Sequence, residues 1–189
     1  MSDGKVGLTR RQMALAATMG MVKEAQERGA WLSEQGFFTE RAVAGAKPVE
    51  ELLMLYLHLW EWYGAGNKVL LDFVADLRYW TREWLGRREG ANLSGDEVNE
   101  FFARLDRREE EYLPLRGDGL TDGASRMRFA GRVLVNMGSE ADGDALPVTL
   151  LSDHIRHFME CIHEVWEYAL KHCSYHFRLR RREEPQLTS

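Results

Sequence analysis

Residues 49–63 read VEELLMLYLHLWEWY. The segment is apolar nearly all round, and a helix of that kind has to be wrapped by its neighbours. Lys47-Pro48 supplies a helix start with Pro near the first helical position, and Gly64 and Gly66 supply its end. This segment therefore predicts a central buried helix, and the rest of the chain should provide the helices that cover it.

Downstream, Asn67 caps a segment with Leu70, Phe73, Val74, Leu77, Trp80 and Trp84 at helical spacing. Ser94-Gly-Asp-Glu97 is a capping box, followed by Val98, Phe101, Phe102, Leu105 and Tyr112 on one face, and Pro114 closes that helix. Upstream, Thr9-Arg-Arg-Gln12 is a second capping box before Met13, Ala16, Ala17, Gly20 and Met21. The face is made of small residues, so a neighbouring helix can approach it closely. That helix runs to about Arg28, or on through Trp31 and Leu32 to Gly36, and Thr39 is placed to cap a short helix ending at Ala46. Residues 113–123 and the acidic stretch 139–147 read as loops. Between them, 124–138 favours a helix carrying Met127, Ala130, Leu134 and Met137, with a strand over Arg128–Val135 as the alternative. From Thr149 to Leu179 there is neither Gly nor Pro. About thirty residues of helix would span roughly 45 Å.

The expectation is an all-α fold: one bundle-like domain over residues 1–180, with six or seven helices and a long C-terminal helix. Residues 181–189, RREEPQLTS, are expected to form a flexible tail. With 189 residues, 44% hydrophobic and 29% charged, the chain can bury a core without staples. The formal charge of −5 argues against indiscriminate coating of nucleic acid. All of the acidic excess lies in residues 95–123, which hold 9 acidic and 4 basic side chains. No apolar run approaches a membrane span, and Met1-Ser-Asp-Gly-Lys5 does not open a secretory signal. Cys161 and Cys173 are twelve residues apart on one helical stretch, about 18 Å, too far to bond to each other. A reducing cytoplasm is the expected location.

Five of the six histidines (His154, His157, His163, His172 and His176) fall within 23 residues. At 100° per residue, His154, His157, Cys161, Glu164, Tyr168, His172 and Tyr175 form a stripe along one edge of the last helix's apolar face. His163 lies on the polar side with Arg156, Glu160 and Glu167. Three readings of the stripe stay open. It is a half-buried shoulder of the core, a surface for a protein partner, RNA or a second copy, or part of a metal site. In the last case His157, Cys161 and Glu164 supply ligands at i, i+4 and i+7, and His58 the fourth. His58 is otherwise a buried neutral histidine, with haem ligation as its alternative role. Two arginine clusters, Arg126, Arg128 and Arg132 and then Arg178, Arg180 and Arg181, are candidate phosphate contacts.

Arg156-His-Phe-Met-Glu-Cys-Ile-His163 resembles the Arg-x(4–6)-His motif of the HEPN superfamily over eight of 189 residues. The resemblance implies a small all-α, metal-independent ribonuclease acting as a dimer, with Arg156 and His163 converging on the scissile phosphate. Ion pairs from Arg156 to Glu160 and from His163 to Glu167 are the alternative use of these residues. No Walker A, GxGxxG, GxSxG or CxxC pair is present. The sequence thus points first to a non-enzymatic interaction protein that needs no cofactor and works through a protein partner or self-association, with nucleic acid as a further partner and no membrane. The HEPN-like ribonuclease comes second and a metal or haem bundle third.

Overall fold

The computed structural model describes residues 8–38, 40, 42, 47–87, 91–117, 120–139 and 145–172. Six helices hold the described chain: α1 (Arg10–Glu34), α2 (Lys47–Gly64), α3 (Lys68–Gly86), α4 (Gly95–Tyr112), α5 (Gly123–Met137) and α6 (Ala145–His172). A single 3-10 turn, Leu113–Leu115, carries Pro114 after α4. The fold is all-α and bundle-like. Among the described residues no helix is long and apolar enough to cross a membrane.

Both capping boxes form. Thr9 Oγ1 accepts the Gln12 N–H at 3.2 Å, and the Gln12 carboxamide accepts the Thr9 N–H at 2.9 Å. Ser94 and Glu97 repeat the exchange at 3.3 and 2.8 Å. Asn67 caps α3, and Asp122 caps α5 by accepting the Ser125 N–H at 2.8 Å. The turn between α2 and α3 passes through Gly66 at φ +88°, a conformation that favours glycine.

α2 is the central helix: it packs against α1, α3, α4, α5 and α6 in turn. From Glu51 to Trp60 every residue is buried. Its apolar surface is therefore distributed over five neighbours. α1 leans on α2 and α3, while α5 and α6 pair on the other side.

Two open alternatives resolve and one boundary moves. Arg128–Val135 is helical throughout, inside α5. α6 begins at Ala145, four residues before Thr149, because Pro147 falls in the first turn, where its missing N–H costs nothing. α1 continues through Trp31 and Leu32 to Glu34. The helix expected from Thr39 to Ala46, the continuation of α6 to Leu179 and the tail 181–189 lie largely or wholly outside the described residues.

Candidate functional site

α1 and α6 both rest on α2 but make no extensive contact with each other. Between them runs an apolar groove of about 600 Å³. Met13, Ala16, Ala17, Gly20 and Met21 of α1 form one wall. Phe158, Cys161, Ile162, Val165 and Tyr168 of α6 form the other, and Trp60 of α2 contributes from beneath. The small face of α1 thus looks into open space; a Cβ added at Gly20 would meet nothing within 4 Å.

The groove collects most of the described stripe. His157, Cys161 and Tyr168 are exposed on it, Tyr168 by 56%. His154 also lines it but is buried at 8% exposure. Glu164 sits on the far shoulder of α6, over a second depression. His172 closes the described helix, and Tyr175 lies outside the described residues.

One end of the groove is polar. His154 Nε2 and Tyr56 Oη share a hydrogen bond of 2.7 Å, and Phe158 stacks on the Tyr56 ring at 4.1 Å. His154 Nδ1 stands 3.7 Å from Glu24, which in turn faces Arg28 at 3.6 Å. Burial, with smaller contributions from Arg28 and His157, pulls the His154 pKa down to about 4. The ring is therefore neutral at pH 7. Burial also pushes the Cys161 thiol up, assisted by Glu164, Glu24 and Glu160. A protonated thiol is a poor nucleophile, so Cys161 serves the groove as a small apolar wall residue.

The second depression, about 460 Å³, lies on the other flank of α6 and brings Arg156, His163 and Arg126 together with Glu160 and Glu164. His163 Nδ1 and Tyr63 Oη share a hydrogen bond of 2.7 Å, so His163 meets the end of α2. Arg156 pairs with Glu160 at 3.0 Å, as its helical spacing anticipates. The α5 arginines are engaged close to home. Arg126 donates to the Leu120 and Thr121 carbonyls, Arg128 to Ser125 Oγ at 3.0 Å, and Arg132 to Glu111 at 3.4 Å. Arg178, Arg180 and Arg181 lie outside the described residues.

The proposed four-ligand metal set does not assemble. His58 is buried against Trp62, one turn further along α2, and against Tyr112 of α4, with Nδ1 3.4 Å from Glu61. Tyr56, about 200° away around α2, is the residue that faces α6. His157 and Cys161 open on the groove while Glu164 opens on the second depression. Among the described residues no three His, Cys, Asp or Glu side chains come together as an ion would require.

Sequence reasoning missed Tyr56, Trp60 and Tyr63, which meet α6 or its groove from beneath. Their i, i+4, i+7 spacing on α2 was the available signal. It also missed Glu24 and Arg28, whose role depends on where α6 lands. The chain matches no family model, and no curated protein or solved structure is significantly similar to it.

Proposed function

We propose that this chain is a non-enzymatic α-helical interaction protein, a subunit or adaptor of a larger assembly, and that the α1–α6 groove is its docking surface. One observation carries the reading: two helices that share α2 as a base leave an apolar channel open between them. Leu8, Val165 and Tyr168 stay exposed along this channel, and apolar side chains gathered at one exposed place suit an interaction surface. Rings with polar tips, such as His157 and Tyr168, suit a wall that is wet alone and dry in a complex.

The test is association. Wild type should form a complex, measured as oligomer mass or as a captured partner. A His157→Glu/Tyr168→Glu double variant should keep its circular dichroism and lose the complex. Equal association by a folded double variant would reduce the stripe to a shoulder of the core.

The HEPN-like ribonuclease reading is favoured by a different observation. Arg156 and His163 open on one depression, and Tyr63 orients the imidazole. An arginine there would neutralise a phosphate and the histidine would move a proton. Against it, Glu160 already occupies Arg156. The expected result is that purified protein leaves RNA intact with EDTA present. Cleavage abolished by His163→Ala would replace the first reading with this one. Nucleic-acid docking through the arginines has less support, because the described α5 arginines each have a local partner.

A further inference from the structure

We infer that the α1–α6 groove is also a small-molecule site, and that its ligand is a single-chain amphiphile with an uncharged hydroxylated head, of the monoacylglycerol kind. The head lies among Glu24, Arg28 and His154, and the chain runs along the groove toward Met13 and Val165.

The groove has a polar end and an apolar end. Among its lining residues only Glu24 and Arg28 are acidic or basic carboxylate and guanidinium groups, and they stand 3.6 Å apart, with His154 3.7 Å from Glu24. His157, one turn on from His154, is engaged by Glu160 at 3.1 Å. Met13 precedes Glu24 by eleven residues and Val165 follows His154 by eleven. The far end of the groove therefore lies about 17 Å along either helix from this cluster. Small-molecule sites are apolar clefts of about 300–1,000 Å³ with a few convergent polar groups. At about 600 Å³ the groove falls within that range.

The polar groups at that end leave hydrogen bonds unmade. Glu24 Oε1 is the common neighbour of Arg28 Nη2 and His154 Nδ1, at 3.6 and 3.7 Å, and neither distance is a hydrogen bond. Arg28 Nε is buried without a hydrogen-bond partner among the described residues. The Glu24 and Arg28 side chains are 38% and 34% exposed, so a head group can reach them from the groove. A hydroxyl seated among the three groups would donate to Glu24 and accept from Arg28, joining side chains that otherwise stop short of one another.

Charge chooses between heads. Arg28 offsets Glu24, and His154 is neutral at pH 7, with its Nε2 already taken by Tyr56. The polar end is therefore balanced. A carboxylate head would gain Arg28 but meet Glu24, and an ammonium head the reverse. Either brings a charge without a counter-ion to the mouth of an apolar channel, which is costly. An uncharged head that both donates and accepts meets no such opposition.

The probes are 1-monolauroylglycerol, laurate and dodecyltrimethylammonium, each kept below its micelle concentration. Binding is read by equilibrium dialysis at pH 7 against wild type, Glu24→Gln, Arg28→Gln, Gly20→Leu and Val165→Asp. The glyceride should bind wild type at one saturable site, at least about tenfold more tightly than either charged probe, because each charged head lacks a counter-ion. Arg28→Gln should move the preference to the ammonium probe, and Glu24→Gln should move it to laurate. Gly20→Leu puts a side chain into the open space of the channel and raises helix propensity. Val165→Asp puts a charge at the apolar end, on a residue that is 37% exposed. Each should weaken the glyceride at least about tenfold, while circular dichroism and melting match wild type. Non-saturable binding, equal binding of the three probes, a preference unmoved by both charge variants, or indifference to both Gly20→Leu and Val165→Asp would each overturn the assignment. Binding is read on the isolated chain, so such a failure leaves protein docking to its own association test.

Discussion

Replacing Arg108 with Met is expected to cost about 3–5 kcal/mol, the usual result of breaking a buried ion pair from one side. Glu51 of α2 is fully buried, and Arg108 of α4 grips it as a fork, with Nη2 2.9 Å and Nε 3.1 Å from the two carboxylate oxygens. The third guanidinium nitrogen reaches Glu111 at 3.1 Å, and Glu111 continues to Arg132 and Asn136 on α5. Removing the guanidinium leaves a carboxylate in the core with nothing to offset its desolvation. A Glu51→Met/Arg108→Met double variant should recover most of the loss, since two apolar side chains of similar volume carry no such penalty. Urea unfolding of the three proteins measures both effects. A single-variant loss below about 1 kcal/mol, or a double variant no better than the single, would mean that water reaches Glu51 and that the pair is not sealed.

The pair also marks where one sequence ends and tertiary structure begins. Residues 95–123 hold the chain's acidic excess, and the α4 sequence reads as an amphipathic helix with a solvated charged face. In the fold, Arg104 and Arg108 leave that face for Glu50 and Glu51 of α2. The central position of α2 was legible because a helix apolar all round has only one stable placement. The caps were legible because Thr9 with Gln12, Ser94 with Glu97, and Asn67 satisfy orphan N–H groups locally, with no help from the rest of the chain. The start of α6 was misplaced because Pro147 reads equally as a breaker or as a first-turn residue.

The candidate site was half legible for the same reason. A wheel of the last helix places His157, Cys161 and Tyr168 on one edge, and the groove confirms that placement. A wheel says nothing about which residues of another helix arrive there. His163 belongs to the polar side of α6 taken alone, but α2 ends close enough for Tyr63 to reach it. His154 belongs to the same edge as His157, but Tyr56 and Phe158 close around it. The metal set failed because two residues on α2 separated by one position face opposite ways: Tyr56 took the α6 side and His58 the α4 side.

The burial of His154 leads to an acid response that an exposed histidine would not give. The groups around it are Glu24 and Arg28 from α1, Tyr56 from α2 and His157 from α6 itself. Its pKa falls from about 6.5 in the unfolded chain to about 4 in the fold, chiefly through burial. Between those values the unfolded chain binds more protons than the native one, so stability rises with pH across that window. The contribution is complete above about pH 6.5, is lost progressively on acidification, and is gone below about pH 4. Two and a half pKa units correspond to about 3 kcal/mol. His154→Gln keeps a polar group near Tyr56 and cannot titrate. Its absolute stability will also shift through lost ring packing, so the diagnostic quantity is the difference between its pH profile and that of wild type. Wild type should lose about 3 kcal/mol more than the variant from pH 7 to pH 4, measured by urea unfolding at each pH. Parallel profiles would assign the acid response to other groups. The same shift alters what acid should do to docking. His154 does not charge near pH 6, so any weakening of the complex in that range has to come from the exposed rim, and a loss that begins only toward pH 4 is the one that His154 would cause.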